Sequence, residues 1–172
     1  MKRFALITAT IMPMLGFLSA QSINPACAPK SGLTLKGSPS CSCDSTTGTV
    51  TCSQFQICGV GNFDADVALS SQYSATVTCT NNGGQVVEVK THEVNQNVGE
   101  PATQIKNGCL LVPEQQTVAP TTPQLLAAAT CPNGNWTPKI KEGTTATLDG
   151  FTYTVTFDGL SGCPYITINS CS

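Results

Sequence analysis

The sequence predicts a mainly β fold, which we interpret as a disulfide-stapled β-sandwich with one short helix. Apolar and polar residues alternate over 73–80 and again over 151–158, as they do in strands that bury one face. Turn sequences rich in Asn, Asp and Gly separate several short runs of this kind, which is typical of sandwiches. Ten cysteines in a chain of 172 residues indicate that disulfides hold these strands together.

Residues 1–20 have the organisation of a secretory signal peptide. Lys2 and Arg3 precede an apolar stretch over 4–18, and Ser19 and Ala20 are small residues suited to cleavage. A stable membrane span needs about 20 apolar residues, so a signal anchor is the less favoured alternative. We therefore predict that the mature chain is secreted, extracellular and soluble.

The charge of the mature chain argues against two classes of partner. Six basic and ten acidic residues remain after residue 20, which gives a formal net charge of −4. Nucleic-acid binding and polybasic membrane attachment both require clustered Lys and Arg, so we expect neither partner.

The cysteines indicate a disulfide framework, because their number is even and the chain is predicted to be exported. Five precede Gly59 and five follow it, so complete internal pairing requires an odd number of bridges between a cysteine-rich N-terminal arm (21–58) and a β-sandwich core (59–172). These two parts are therefore interpreted as one domain, and the individual pairings stay open. The candidates are Cys27, Cys41, Cys43, Cys52, Cys58, Cys79, Cys109, Cys131, Cys163 and Cys171.

Within the arm, frequent Pro and Gly over 21–40 predict an irregular segment held by its cysteine. Short strands are predicted at 49–52 and 55–58, after a turn that contains Asp44. Zinc binding by Cys41, Cys43, Cys52 and Cys58 is the alternative to disulfides in this segment, and an oxidising compartment favours disulfides.

The core begins with a strand over 65–69 and a central β-hairpin. The odd-numbered residues of 73–80 form its apolar face, and the sequence Asn-Asn-Gly-Gly over 81–84 suits a tight turn. The return strand places Val87 and Val89 on one face and polar side chains on the other, namely Glu88, Lys90 and His92.

A short helix is predicted over 123–130, with Thr122 as its N-cap and Pro123 as its first residue. A helix of this length is unstable alone, so it should pack on the sheet through Leu125 and Leu126. The remaining segments are predicted as a polar loop over 98–108, a buried strand over 109–112, a strand over 136–142, a hairpin that turns at Asp149-Gly150, and a closing strand within 163–171.

Candidate catalytic residues are few. His92 is the one histidine, and we interpret it as a solvated residue on a polar strand face rather than as a general base. Asp64 and Asp66 share one face of an extended segment and could bind Ca²⁺ or serve glycoside hydrolysis, together with Asp158. We interpret them as loop acids, and we expect no catalytic residue, no metal and no cofactor.

Candidate contact residues are Trp136 and Tyr153, whose rings could stack on a sugar or a protein. A core position for Trp136 is the favoured alternative. Asn135 lies in the tripeptide Asn-Trp-Thr and is a possible glycosylation acceptor. Strand faces rich in Ser and Thr could form a protein- or glycan-contact surface, although an ordinary solvated face is the favoured interpretation.

Two stretches of the sequence resemble a known group of proteins. Residues 73–91, and residues 129–138 followed by 151–157, resemble small cysteine-rich secreted proteins of filamentous fungi and some bacteria. The resemblance implies a protein without established enzymatic activity. Members from plant-associated fungi are candidate effectors that are exported into host tissue.

Three functions follow as hypotheses. The first is a monomeric, non-enzymatic effector that binds a host extracellular protein and promotes virulence by blunting host defence. The second is a carbohydrate- or cell-wall-binding module that uses Trp136 and Tyr153. The third is a small cell-wall hydrolase that uses Asp64, Asp66 or Asp158.

Overall fold

The structure of the chain is a computed structural model that describes residues 21–171. The signal peptide predicted over 1–20 lies outside the described residues. Among residues 21–171 no helix is long and apolar enough to cross a membrane.

Between residues 21 and 171 the chain forms fifteen β-strands, one α-helix and one 3-10 helix at Pro25–Cys27. The α-helix is α1 (Thr122–Ala127), and the strands are β1 (Gln21–Ile23), β2 (Thr34–Lys36), β3 (Cys41–Asp44), β4 (Thr49–Cys52), β5 (Phe55–Cys58), β6 (Ala65–Ser74), β7 (Thr76–Asn81), β8 (Val86–Lys90), β9 (Val94–Ala102), β10 (Ile105–Lys106), β11 (Cys109–Val112), β12 (Gln115–Thr117), β13 (Trp136–Ile140), β14 (Thr147–Phe157) and β15 (Ile166–Ile168). The predicted mainly β class with one short helix is therefore confirmed.

The described strands pair antiparallel in four sheets. Five strands form the largest sheet in the order β1-β15-β14-β6-β9, and four form a second sheet in the order β10-β11-β5-β2. Two three-stranded sheets have the orders β12-β4-β3 and β13-β7-β8. The sandwich arrangement of these sheets stays a prediction.

The pairing of β6 with β14 is the longest ladder of the described strands. It runs from Ala65 opposite Phe157 to Ser74 opposite Thr147. Side chains on a strand alternate between its two faces, so Val67, Leu69 and Tyr73 of β6 point to the same side as the four apolar residues of β14. Those four are Phe151, Tyr153, Val155 and Phe157, and all of them are buried.

The main core combines this inner face with side chains from two other sheets. Ile57 and Leu110 come from the four-stranded sheet, and Val50 comes from β4. Tyr165 lies against Phe157 with ring centroids 5.5 Å apart. The sheet of β13, β7 and β8 contributes no described residue to this cluster.

Five disulfides use all ten cysteines, which confirms the predicted framework and its parity. Three of them join the arm to the core, namely Cys27–Cys163, Cys43–Cys171 and Cys58–Cys109. The other two are Cys41–Cys52 within the arm and Cys79–Cys131 within the core. The four cysteines considered for zinc are therefore all oxidised.

Two buried hydrogen bonds connect β6 to the segments that cover it, the turn at Gly48 and the strand β12. The Tyr73 hydroxyl donates to the carbonyl oxygen of Gly48 at 2.7 Å. The hydroxyls of Ser71 and Thr117 lie 2.6 Å apart, so β12 is held against the inner face of β6. Each bond satisfies a polar group that would otherwise be buried without a partner.

Two segments that we expected to be irregular contain strands. In the arm, β1 pairs with β15 and β2 pairs with β5. The expected polar loop over 98–108 is instead mostly β9 and β10. The strand β9 pairs only with β6 among the described residues, and an edge strand of this kind tolerates Gly99 and Pro101 because few of its backbone groups are needed for pairing.

The prediction of a hairpin turn at Asp149-Gly150 is also wrong. The strand β14 continues through this dipeptide and pairs with β6 on both sides of it, with a register shift between Leu148 and Gly150. A bulge accommodates the extra residue, so the dipeptide bends a strand instead of reversing the chain.

The helix forms one residue earlier than expected and is shorter. Its N-cap is Thr121, whose backbone N–H donates to Gln124 Oε1 at 2.8 Å. It ends at Ala127, because the carbonyl of Ala128 accepts from the His92 N–H at 3.0 Å and Pro132 has no N–H to continue the helical pattern. Leu125 is buried and Leu126 is half-buried.

A disulfide that closes a long loop should lower the conformational entropy of the unfolded chain more than one that closes a short loop, and so stabilise the fold more. Cys43–Cys171 closes a sequence separation of 128 residues and Cys41–Cys52 one of 11. We expect the Cys43→Ala/Cys171→Ala variant to lose about 2 kcal/mol more of the free energy of unfolding than Cys41→Ala/Cys52→Val, measured by guanidinium denaturation. Valine keeps the volume of the buried pair, and a smaller loss in the first variant would contradict the expectation.

Removal of the hydroxyl should lower the free energy of unfolding at only one of the two buried tyrosines of the β6–β14 ladder. Tyr73→Phe leaves the Gly48 carbonyl without its partner and should cost about 1–3 kcal/mol of the free energy of unfolding. Tyr153→Phe removes a buried hydroxyl that has no partner among the described residues, so it should be neutral or stabilising. Equal losses in the two variants, measured by urea denaturation, would contradict this assignment.

Candidate functional site

The predicted central hairpin is present as β7 and β8 in the sheet β13-β7-β8, but its first strand begins at Thr76 because Tyr73 and Ser74 belong to β6. Val77 and Cys79 lie on its inner face and are buried. The helix α1 contacts β13, and Cys79 is bonded to Cys131 shortly after α1. The helical segment is therefore tied to this sheet.

The strand β8 is less covered than the prediction implied. Val87 lies opposite Cys79 on the inner face and is 36% exposed, while Val86 on the other face is 58% exposed. Both faces of this edge strand therefore present apolar surface. Glu88 is bound by Lys141 across the sheet at 2.9 Å.

The backbone of β8 has an open edge, which we define as the outward peptide groups of Val86, Glu88 and Lys90. Gln85 and Thr91 hydrogen-bond to the β7 side, since Asn81 N–H donates to Gln85 O at 3.1 Å and Thr91 N–H donates to Ala75 O at 2.9 Å. Backbone groups alternate in direction along an antiparallel strand. The even-numbered residues of β8 therefore direct their N–H and C=O groups away from the sheet.

The opposite edge of the same sheet is protected. Lys141 N–H donates to Thr76 O at 3.1 Å. The odd-numbered residues of β13 therefore direct their backbone N–H and C=O groups toward β7, and the even-numbered residues direct theirs away from the sheet. One of those outward positions is Pro138, which has no N–H to offer. Proteins commonly block strand edges with proline, and β8 has none.

A cleft lies beside the end of β8, and we call it the hydroxyl cleft. It has a volume of about 290 Å³. Its polar lining comes from the junction of β6 and β7, from the end of β8, and from the segment that leads into β14. The residues that supply it are Ser74, Thr76, Lys90, Thr144, Thr145, Thr147 and Asp149.

The charges in the hydroxyl cleft are balanced. Lys90 Nζ and Asp149 Oδ1 lie 3.5 Å apart, with the lysine side chain mostly exposed and the aspartate mostly covered. Asp149 occupies the bulge position of β14. No sequence motif predicts this cleft, because its residues come from three separated segments.

The predicted catalytic candidates are placed apart from the cleft. His92 is exposed just beyond β8, and its Nε2 lies 3.1 Å from Thr130 Oγ1. The backbone N–H of Asp158 donates to the carbonyl of Asp64 at 3.1 Å, which makes the two residues neighbours at one end of the β6–β14 ladder. Asp66 is exposed two residues further along β6.

The possible contact residues are divided by the fold. Tyr153 is 1% exposed and lies in the main core, so its ring cannot stack on a surface ligand as the second hypothesis required. Trp136 is half-buried at the start of β13. Asn135 is exposed in the turn before it, and its use as a glycosylation acceptor stays a prediction.

Among residues 21–171 no group of three or more His, Cys, Asp or Glu side chains is arranged to hold a metal ion.

Burial changes the acid–base behaviour of the core tyrosines. It raises the pKa of Tyr153 far above its ordinary value, and it also raises the pKa of Tyr165. In both cases removal from water disfavours the charged phenolate.

No family model, no curated protein and no solved structure matches this chain. The resemblance to small secreted proteins therefore stays a prediction.

Alkaline pH should destabilise the fold through Tyr153. An unfolded tyrosine ionises near pH 10, whereas the folded chain holds this proton more tightly, so the free energy of unfolding should fall as the pH rises above about 10. The slope for one proton is at most about 1.4 kcal/mol per pH unit. Urea denaturation across this range should show a shallower fall for Tyr153→Phe, whereas parallel curves for variant and wild type would contradict the expectation.

Proposed function

We propose that the protein is a secreted, non-enzymatic, effector-type protein that binds an extracellular protein of a host and blunts host defence. The open edge of β8 is the observation that carries this proposal. It would receive an extended segment of the host protein as an added strand.

Export is supported by the predicted signal peptide and by the state of the cysteines. Disulfides form and persist in oxidising compartments and are rare in reducing ones. All ten cysteines are paired here, and three of the bridges join the arm to the core. Bridges of this kind suppress the local unfolding on which extracellular proteases depend.

Strand addition is supported by the backbone of β8. An exposed sheet edge binds an extended peptide through main-chain hydrogen bonds, while side-chain pockets give selectivity. The open edge supplies unpaired groups at Val86, Glu88 and Lys90, and the neighbouring Val87 supplies apolar contact area. The protected edge at Pro138 makes β8 the favoured side of this sheet.

The host context rests on the resemblance of residues 73–91 to small secreted proteins of filamentous fungi. The hairpin β7–β8 lies within that stretch. The surface chemistry is compatible with such a role, because the mature chain carries only six basic residues and offers little to nucleic acid.

A proline substitution in the open edge tests the proposal. The oxidised mature protein is used as affinity bait in extracellular fluid from a plant host, beside Val86→Pro and the matched control Val86→Thr. Proline removes one outward N–H without disturbing the bonds to β7, so binding of the captured host protein should weaken about tenfold or more. Val86→Thr keeps that N–H and should retain most of the affinity.

Hydrogen exchange gives a second readout that does not depend on the variant. The amide protons of Val86, Glu88 and Lys90 should become protected when the purified host protein binds, while those of β13 should not change. Equal capture by Val86→Pro, protection elsewhere on the chain, or self-association of the free protein in size-exclusion chromatography would each overturn the proposal. Thermal melting of each variant confirms that it is folded.

A further inference from the structure

The hydroxyl cleft is a second feature of the molecule, and Lys90 is the one residue that it shares with the open edge of β8. It lies where β6 passes into β7 and where the segment over 144–149 enters β14. Its volume of about 290 Å³ lies just below the usual range for small-ligand sites, which begins at about 300 Å³. A pocket of this size suits one compact polar molecule.

The polar groups of the cleft offer both donors and acceptors at short range. The ammonium group of Lys90 donates only, and the carboxylate of Asp149 accepts only. Hydroxyls such as those of Thr76 and Thr147 do both. The two formal charges cancel, so the cleft favours a ligand without net charge.

Ser74 supplies an independent sign of a ligand. It lines the cleft and is 2% exposed, and its Oγ is buried without a hydrogen-bond partner among the described residues. A buried hydroxyl left unpaired is unfavourable. The Oγ has almost no accessible surface, so a ligand hydroxyl would reach and satisfy it only after a neighbouring side chain moved.

The bulge in β14 gives the cleft its acceptor. The register of β14 against β6 shifts between Leu148 and Gly150, which leaves Asp149 without an opposite residue in the ladder. Bulges often redirect a side chain toward a functional site. Here the displaced residue is the carboxylate that pairs with Lys90.

We propose that the hydroxyl cleft binds a neutral sugar unit. Neighbouring hydroxyls of a sugar each donate and accept, which matches an adjacent carboxylate, ammonium group and Ser74 hydroxyl. The carboxylate of Asp149 would repel an anion. The ammonium group of Lys90 would repel a divalent cation, and the cleft offers such a cation only one carboxylate ligand. The site differs from the stacking residues that the sequence suggested, since neither Trp136 nor Tyr153 lines it.

The sugar unit could be a free monosaccharide or the end of a longer glycan. Titration of the ¹⁵N-labelled mature protein distinguishes these sources. The probes are glucose, galactose, mannose and N-acetylglucosamine in one arm, and soluble cello- and chito-oligosaccharides in the other. We expect at least one probe to shift the amide resonances of Ser74, Thr76, Thr145 and Asp149 in a saturable way.

Two variants test the chemistry of the cleft. Ser74→Ala removes the unpartnered hydroxyl, so it should weaken sugar binding about tenfold without lowering stability. Asp149→Asn removes the acceptor charge and should weaken binding by a similar factor. Thr152→Ala is the matched control, because Thr152 is an exposed hydroxyl of β14 outside the cleft, and it should leave binding unchanged.

The proposal is overturned if no probe shifts these four resonances, or if the shifts map to another surface. It is also overturned if Ser74→Ala binds as tightly as the wild type. Saturable shifts with glycine or inorganic phosphate but not with sugars would replace the proposed ligand class. These outcomes are independent of capture by the open edge of β8, so each proposal can fail alone.

Discussion

The antiparallel pairing of β6 with β14 is the interaction on which the remaining structure depends. It places the apolar face of β14 beside Val67 and Leu69, and these side chains supply much of the main core. Aromatic and branched side chains on one continuous face remove a large apolar area from water, which is the dominant favourable term in folding. The neighbouring strands β15 and β9 are positioned by this ladder, since each pairs directly with one of its two members.

The disulfides extend this organisation to the ends of the chain. The arm contributes strands to three of the sheets, and Cys27–Cys163 and Cys43–Cys171 connect it to the C-terminal segment. Pairing between residues so distant in sequence has a large entropic cost in loop closure. Covalent links lower that cost by restricting the unfolded chain, so short strands such as β1 and β2 can be kept in place.

Both proposed sites lie where the regular pairing of this framework is interrupted. The hydroxyl cleft lies at the break between β6 and β7 and at the bulge of β14, which are the positions of Ser74 and Asp149. The open edge lies at the end of the sheet β13-β7-β8, where no further strand of the described chain pairs with β8. The opposite edge at β13 contains Pro138 and contacts α1, so the two edges of one small sheet differ in accessibility.

The sequence by itself determined the mainly β class, the central hairpin, the buried faces of β7 and β14, and the presence of a disulfide framework in which an odd number of bridges joins the arm to the core. These features depend on local alternation, turn residues and parity, all of which can be read from neighbouring positions. Only the tertiary structure decided that β9 is a strand, that Asp149 lies in a bulge, and which cysteines bond to each other. The edge of β8 and the hydroxyl cleft were likewise decided there, because an edge is defined by which strands fail to pair and a cleft by which distant residues meet.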